Sequence, residues 1–274
     1  MTHPLVRRPG WLFCPADRPD RYGKAAERAD VVILDLEDAV LPQDKPAARE
    51  ALLASPLDPE RTVVRINAAD TGEQEADLEA LRKTGYCYAM LAKTESAAQV
   101  EVLAGYEVIA LIETAAGALR VEEIAAAEHI AGLMWGAEDL VASLGGTSSV
   151  FPGVPGVPGL RDVARYVRAR TLIAAGAFGR FALDSVHPDI GDLDGLRAIA
   201  EDAVASGFDA KVSIHPAQVP VVREAYRPDP ERLEWARGVL AAAQGAQGAF
   251  SYQGAMVDAP LLRQAEAVVA RAEA

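Results

Sequence analysis

DVVILDLED, residues 30–38, opens on an aliphatic run and closes on Asp35, Glu37 and Asp38. The run from Val31 to Leu34 has no polar face, which describes a strand apolar on both sides, as in parallel sheets. Comparable runs stand at WLFCPA (11–16), RTVVRIN (61–67), YAMLAK (88–93), EVIALIET (107–114), HIAGLMWGAED (129–139), RFALDSVH (180–187) and AKVSIHP (210–216), which makes eight with the first. Many of them also end on charged residues.

Between these runs lie segments with helical spacing, among them KPAAREALLA, EADLEALRKTG, AGALRVEEIAAAE, DVARYVRARTLIAAG and LRAIAEDAVASG, several ending at glycine as helix C-termini commonly do. Alternation of strand and helix implies parallel pairing through right-handed crossovers. Eight such units in one domain length predict a closed TIM (β/α)₈ barrel over residues 9–220. A doubly wound open sheet is the alternative, but no G-x-G-x-x-G follows the first strand and no Walker loop occurs. Residues 221–274 read as a short helical C-terminal extension: a helix, a turn-rich stretch around SYQGAMVDAP and a final amphipathic helix, packing on the barrel or on a neighbouring subunit. GGTSSVFPGVPGVPGL (145–160) is too rich in glycine and proline for regular structure. It reads either as a mobile loop over the barrel mouth or as a surface insertion without a role.

The bulk properties narrow the function. A net charge of −13 would repel a phosphate backbone, so no nucleic-acid partner is expected. The opening MTHPLVRRPG lacks the apolar stretch of a secretory signal, and no apolar run is long enough to span a bilayer. A cytoplasmic protein without a membrane partner is expected. Cys14 and Cys87 form no C-x-x-C pair, so neither a disulfide framework nor a thiolate zinc site is indicated. Cys14 in LFCPAD reads as a small buried side chain, with a strand-end nucleophile as the competing reading.

In such barrels the chemistry sits at the C-terminal ends of the strands. Those ends carry Glu37 and Asp38, Arg65 and Asn67, Lys93, Glu113, Glu138 and Asp139, Asp184, and His215. A single acid there is ordinarily a helix cap or a solvated loop residue. Acids at several converging ends would repel one another unless something cationic lay among them. Arg65 supplies one charge, and the cluster also suits a hard divalent cation such as Mg²⁺, which takes one or two carboxylates plus substrate oxygens. Zinc fits less well, because none of His3, His129, His187 and His215 has the H-x-x-x-H spacing of paired helical ligands. Strand geometry sends adjacent residues to opposite faces, so one of Glu37 and Asp38, and one of Glu138 and Asp139, should face the site.

The motifs LFCPADRPDRYGKA, DVVILDLEDAV, KPAAR, VVRIN, LIETAAGA, LMWGAEDL, SIHPAQV and GAMVDAP follow the order and spacing of citrate lyase beta-subunit-like proteins. The chain resembles that group, within the HpcH/HpaI aldolase superfamily, from about residue 9 to the C-terminus. The resemblance implies a Mg²⁺-dependent barrel, one ion per subunit, assembled as a homotrimer or hexamer. It also implies an acyl-CoA lyase that joins or parts an acyl-CoA enolate and a 2-oxo acid, with coenzyme A entering as part of a citryl-CoA, malyl-CoA or citramalyl-CoA type substrate. Carried over by motif, Glu113 and Asp139 are the metal ligands, with Glu113 also touching substrate, and Arg65 is the substrate-binding arginine. Glu37 and Asp38 support the metal and orient Arg65, and Asp258 is a candidate acid or base reaching a neighbouring subunit's site, with Glu37 as competitor. Asp258 reads equally as a cap for the last helix. Arg18, Arg21 and Lys24 read as contacts for the phosphates of coenzyme A or as a solvated helix face. LFCPAD and LAK depart from the pattern of many relatives, which carry a glycine after the first proline and LPK in place of LAK. A citrate lyase subunit acting on an acyl carrier protein, an acyl-CoA thioesterase and a silent acyl-CoA-binding protein are the competing functions.

Overall fold

The computed structural model describes residues 3–151, 159–246 and 248–273. Eight parallel strands close in sequence order: β1 (Gly10–Pro15), β2 (Val31–Asp35), β3 (Thr62–Ile66), β4 (Tyr88–Leu91), β5 (Glu107–Ile112), β6 (Ile130–Trp135), β7 (Phe181–Asp184) and β8 (Ala210–Ser213). β8 pairs back onto β1 through Gly10↔Lys211, Trp11↔Val212 and Leu12↔Ser213. All eight expected strands are present and the open-sheet alternative is excluded. The strands end earlier than their apolar runs suggest, because the terminal charged residues belong to the turns.

The two-residue period of each strand sorts the core into layers. Val31, Ile33, Val63, Ile109, Leu111, Phe181, Leu183, Ala210 and Val212 pack together as one buried cluster, inside the barrel. Val32, Leu34, Val64, Ile66, Ala110 and Ile112 pack with the helices. Continued by the same parity, Asp35, Arg65 and Glu113 fall on the inner side and Asp184 and Lys211 on the helix side. Of the expected helices, KPAAREALLA is Lys45–Ala54, and AGALRVEEIAAAE is broken at Arg120 into Ala115–Leu119 and Val121–Ala126. Residues 152–158, the centre of the Gly/Pro-rich loop, lie outside the described residues. Its base is tied by a Val150↔Leu160 bridge and by Phe151 N–H donating to the Gly159 carbonyl at 2.9 Å.

Met1–Val222 form one compact unit and Arg223–Ala274 a second. The second holds the helices Pro230–Ala243 and Ala259–Ala272 around Ala236, Val239, Val257, Ala265 and Val268. Between them the turn-rich stretch is a hairpin of β9 (Phe250–Tyr252) and β10 (Ala255–Val257). Its two-residue turn has φ of 49° at Gln253 and 81° at Gly254, the doubly positive signature that matches the twist of paired strands. Among the described residues no helix is long and apolar enough to cross a membrane.

Candidate active site

Asp35 and Arg65 are register partners on β2 and β3 and share the inner face. Arg65 donates from Nε to Asp35 Oδ1 at 2.7 Å and from Nη2 to Oδ2 at 2.5 Å. Its Nη1 lies 3.1 Å from Glu37 Oε2, and its guanidinium carbon sits 4.6 Å from the centre of the Phe13 ring. Both members of the Asp35–Arg65 pair are buried. Burial opposes the charge on Arg65, but Asp35, Glu37 and Glu113 outweigh it and raise its pKa further. With Nε and one Nη2 hydrogen committed to Asp35 and one Nη1 hydrogen facing Glu37, a guanidinium retains one N–H on each terminal nitrogen for a ligand.

Lys93 forms the second cationic centre. Its Nζ donates to Glu37 Oε1 and, at 3.1 Å, to Asp38 Oδ2, and lies 3.4 Å from Asp139 Oδ1. Its backbone takes the left-handed conformation, φ 48°, which is uncommon for a side chain of this size, and its N–H donates to Glu113 Oε1 at 3.0 Å. Burial opposes the ammonium, but Glu37 and the acids around it raise the Lys93 pKa overall. Burial pushes the Glu37 carboxyl up. The same effect on Asp38 is smaller than the pull of Lys93 and Arg65, so Asp38 stays below the ordinary range.

Glu37 and Asp38 therefore do not divide between two faces as a strand would require. β2 ends at Asp35, both residues stand in the following turn, and both reach Lys93. Glu138 and Asp139 likewise lie beyond β6, in the first turn of the helix Ala137–Ser143. Asp139 turns to Lys93, while Glu138 accepts from the Ser149 hydroxyl at 2.5 Å.

Glu113 is 2% exposed, and its one hydrogen bond among the described residues comes from the Lys93 amide. Burial pushes its carboxyl up to about 8, against the pull of Arg65, and Asp139 adds to the rise. Its other oxygen faces Gly136, where an added Cβ would come within 2.6 Å. A buried acid this poorly satisfied, beside a second acid, is a fitting pair of donors for a cation. Among the described residues no three His, Cys, Asp or Glu gather into a cage for a metal. Two carboxylates without a cage suit Mg²⁺, which completes its shell with water and substrate oxygens.

Asp184, which convergence of the strand ends would bring to the mouth, instead lies between sheet and helices. It accepts from Trp135 Nε1 at 2.8 Å, Arg168 Nε at 2.9 Å and Lys211 Nζ at 3.0 Å. His215 is exposed, its ring accepting from the Ala217 amide at 3.2 Å. Arg18 pairs with Asp20 at the surface, and Lys24 is exposed on the helix Tyr22–Arg28. Asp258 lies in the second unit, where it caps the helix Ala259–Ala272 by accepting from the Leu261 amide at 3.3 Å. The sequence marks Asp35 as one of the acids closing its run but gives it no role at the site, and it does not single out Phe13 or Lys45. The inner parity of β2 was the available signal for Asp35.

Residues 10–216 match the family described as HpcH/HpaI aldolase/citrate lyase. A citrate lyase subunit beta-like protein of Mycobacterium tuberculosis is 61% identical over 264 residues, covering 96% of this chain and 95% of its own. The mitochondrial citramalyl-CoA lyase of Rattus norvegicus is 31% identical over 302 residues, covering 98% of this chain and 87% of its own. The crystal structure of protein CitE from Mycobacterium tuberculosis in complex with magnesium, acetoacetate and coenzyme A superposes with a TM-score of 0.92 at 60% identity, covering 97% of this chain and 98% of that one. The chain belongs to the HpcH/HpaI aldolase/citrate lyase family, among its citrate lyase beta-subunit-like members.

Proposed function

We propose that this protein is a Mg²⁺-dependent acyl-CoA lyase that makes or breaks the C–C bond between an acyl-CoA enolate and a 2-oxo acid, on a substrate of the citryl-CoA, malyl-CoA or citramalyl-CoA type. The observation that carries the reading is the juxtaposition of a locked cation, Arg65 on Asp35, with the under-bonded acid Glu113. It is supported by a relative named as a citramalyl-CoA lyase and by a similar protein crystallised with magnesium, acetoacetate and coenzyme A.

Glu113 and Asp139 would hold the ion, which supplies Lewis-acid polarisation of the oxo acid's carboxylate and carbonyl oxygens. Arg65 offers its two remaining N–H groups to a carboxylate or thioester oxygen, and its pairing with Asp35 means that it need not reorganise on binding. In cleavage the 3-hydroxyl loses its proton as the C–C bond breaks, leaving a 2-oxo acid and an acyl-CoA enolate. The enolate carbon then takes a proton. Asp258 is assigned one of these transfers, with Glu37 as the competing group. Asp258 would act from the extension, residues 221–274, on the site of a neighbouring subunit in a homotrimer or hexamer. Arg18 and Lys24 would meet the phosphates of coenzyme A. Lys93 is a charge-balancing residue: an ammonium held by three carboxylates and raised in pKa is unsuited to imine formation.

The test is the purified protein with Mg²⁺ and malyl-CoA, citramalyl-CoA and citryl-CoA, with free thiol and 2-oxo acid measured separately. Oxo acid with no free thiol is the expected result. Free thiol without oxo acid would make the protein a thioesterase, and no turnover with or without metal would remove the lyase reading.

A further inference from the structure

Lys45 opens the helix Lys45–Ala54 and is buried, yet no carboxylate among the described residues balances it directly. Its Nζ donates to the Leu36 carbonyl at 2.7 Å, the Glu37 carbonyl at 2.9 Å and Asn67 Oδ1 at 2.7 Å. An ammonium has three N–H donors, so this one is fully committed. Two of its acceptors are the carbonyls of the turn that follows β2, which presents Glu37 and Asp38 to Lys93. The third stands two residues after Arg65. Lys45 thus ties the turn that carries Glu37 to the end of β3, the strand that carries Arg65.

The grip is closed through neighbouring side chains. Asn67 Nδ2 donates to the Leu36 carbonyl at 2.9 Å and to Asp77 Oδ2 at 2.6 Å, an arrangement that also assigns its amide orientation. The other oxygen of Asp77 accepts from Arg49 Nε at 2.7 Å. Arg49 is one helical turn after Lys45, on the same face. The path from Lys45 through Asn67 and Asp77 therefore returns to the helix it left. Apolar burial of that face would have needed only a leucine or methionine at position 45; the ammonium adds directed bonds at the turn.

We propose that Lys45 is a positioning residue for the active site, fixing Glu37 against Arg65 and Lys93 through the carbonyls of residues 36 and 37. The proposal rests on the lyase reading for its kinetic consequence and on geometry alone for its structural one. Displacement of a catalytic group by as little as 1 Å, well within the play of a released turn, costs on the order of a hundredfold in rate.

The variant Lys45→Met keeps the length and buried volume of the side chain and removes the three donors. Amide hydrogen exchange reads the turn directly, because the N–H groups of Glu37, Asp38, Ala39 and Val40 are all bonded within it. Exchange at those four should rise at least about tenfold, with the β-strands within about twofold. In the lyase assay with Mg²⁺, kcat should fall at least about tenfold at a KM within about threefold, and the loss should vanish in a Glu37→Gln background, where there is no carboxylate left to place. Unchanged exchange, or effects of Lys45→Met and Glu37→Gln that add in full, would overturn the proposal. Should Lys45→Met fail to fold, Asn67→Ser removes one of the three acceptors and should show the same pattern at smaller size. An inactive wild type with a loosened Lys45→Met turn would sink the lyase reading and leave the clamp standing. An active wild type with an unaltered turn would sink the clamp alone.

Discussion

Asp35 holds Arg65 by both carboxylate oxygens, and the same two oxygens accept the amides of Glu37 at 2.9 Å and Ala39 at 3.2 Å. One side chain therefore fixes the neighbouring strand's cation and its own strand's turn. Removing the charge from one side of a buried pair leaves the other uncompensated, at a cost of about 3–5 kcal/mol. Glu37 and Glu113 stay close to Arg65 and bring Asp35→Asn toward the lower end, about 3 kcal/mol. A urea midpoint that falls by this amount at unchanged slope is the expected outcome, with turnover lost in parallel. A midpoint shift under about 1 kcal/mol would mean that the pair is solvated in solution.

Gly136 is set by its neighbour and not by its backbone, whose φ of −119° any residue can adopt. A Cβ there would come within 2.6 Å of Glu113 Oε2 and 2.7 Å of Glu113 Cβ. Gly136→Ala should therefore push Glu113 aside in a protein that still folds. Calorimetric titration with Mg²⁺ should show at least about a tenfold loss of affinity, approaching that of Glu113→Gln and Asp139→Asn, on the scale of losses seen when a group supporting a metal ligand is removed. Wild-type affinity in all three variants would refute the ligand assignment.

Burial pushes the Cys14 thiol up to about 11, a rise that Arg21 only partly offsets, while Cys87 is exposed. At pH 8 the native protein should lose one thiol to iodoacetamide and the unfolded protein two. Cys87→Ser should abolish the native reaction. Because burial raises the folded thiol above its ordinary 9.0, its contribution to stability is complete below that pH and is lost as the pH rises toward 11. Cys14→Val should flatten the fall in melting temperature over that window, and an unchanged slope would show that other groups set it.

The barrel was legible because each strand is a short aliphatic run and eight of them alternate with helical spacing. The site was legible in its residue types more than in its contacts. Glu113, Asp139 and Arg65 stand at strand ends or one turn beyond, where charge is conspicuous. Asp35 was hidden by Glu37 and Asp38, although counting inward from Val31 and Ile33 would have placed it inside. The same count puts Asp184 on the helix side, with Phe181 and Leu183 inward, and so separates it from the other acids. Lys45 illustrates the residue that pattern cannot reach, because two of its partners are backbone carbonyls of another loop; Lys93 stands out at its strand end, but its left-handed backbone does not.

Asp258 caps a helix and is also the residue proposed to move a proton. Its carboxylate caps the helix Ala259–Ala272, and Asn or Ser caps nearly as well. Asp258→Asn and Asp258→Ser therefore keep the helix start and remove the ionisable group, whereas Asp258→Ala removes both. If the carboxylate moves a proton, all three variants should lose about 10²–10⁴-fold in kcat, with Mg²⁺ affinity unchanged. Only Asp258→Ala should in addition lose about 1 kcal/mol of stability. Mixing Asp258→Asn subunits with Glu113→Gln subunits separates action within a subunit from action across subunits, since each would bring the group the other lacks. Recovery of turnover on mixing, from two inactive parents, is the expected result; full activity of Asp258→Asn by itself would reduce the residue to its cap.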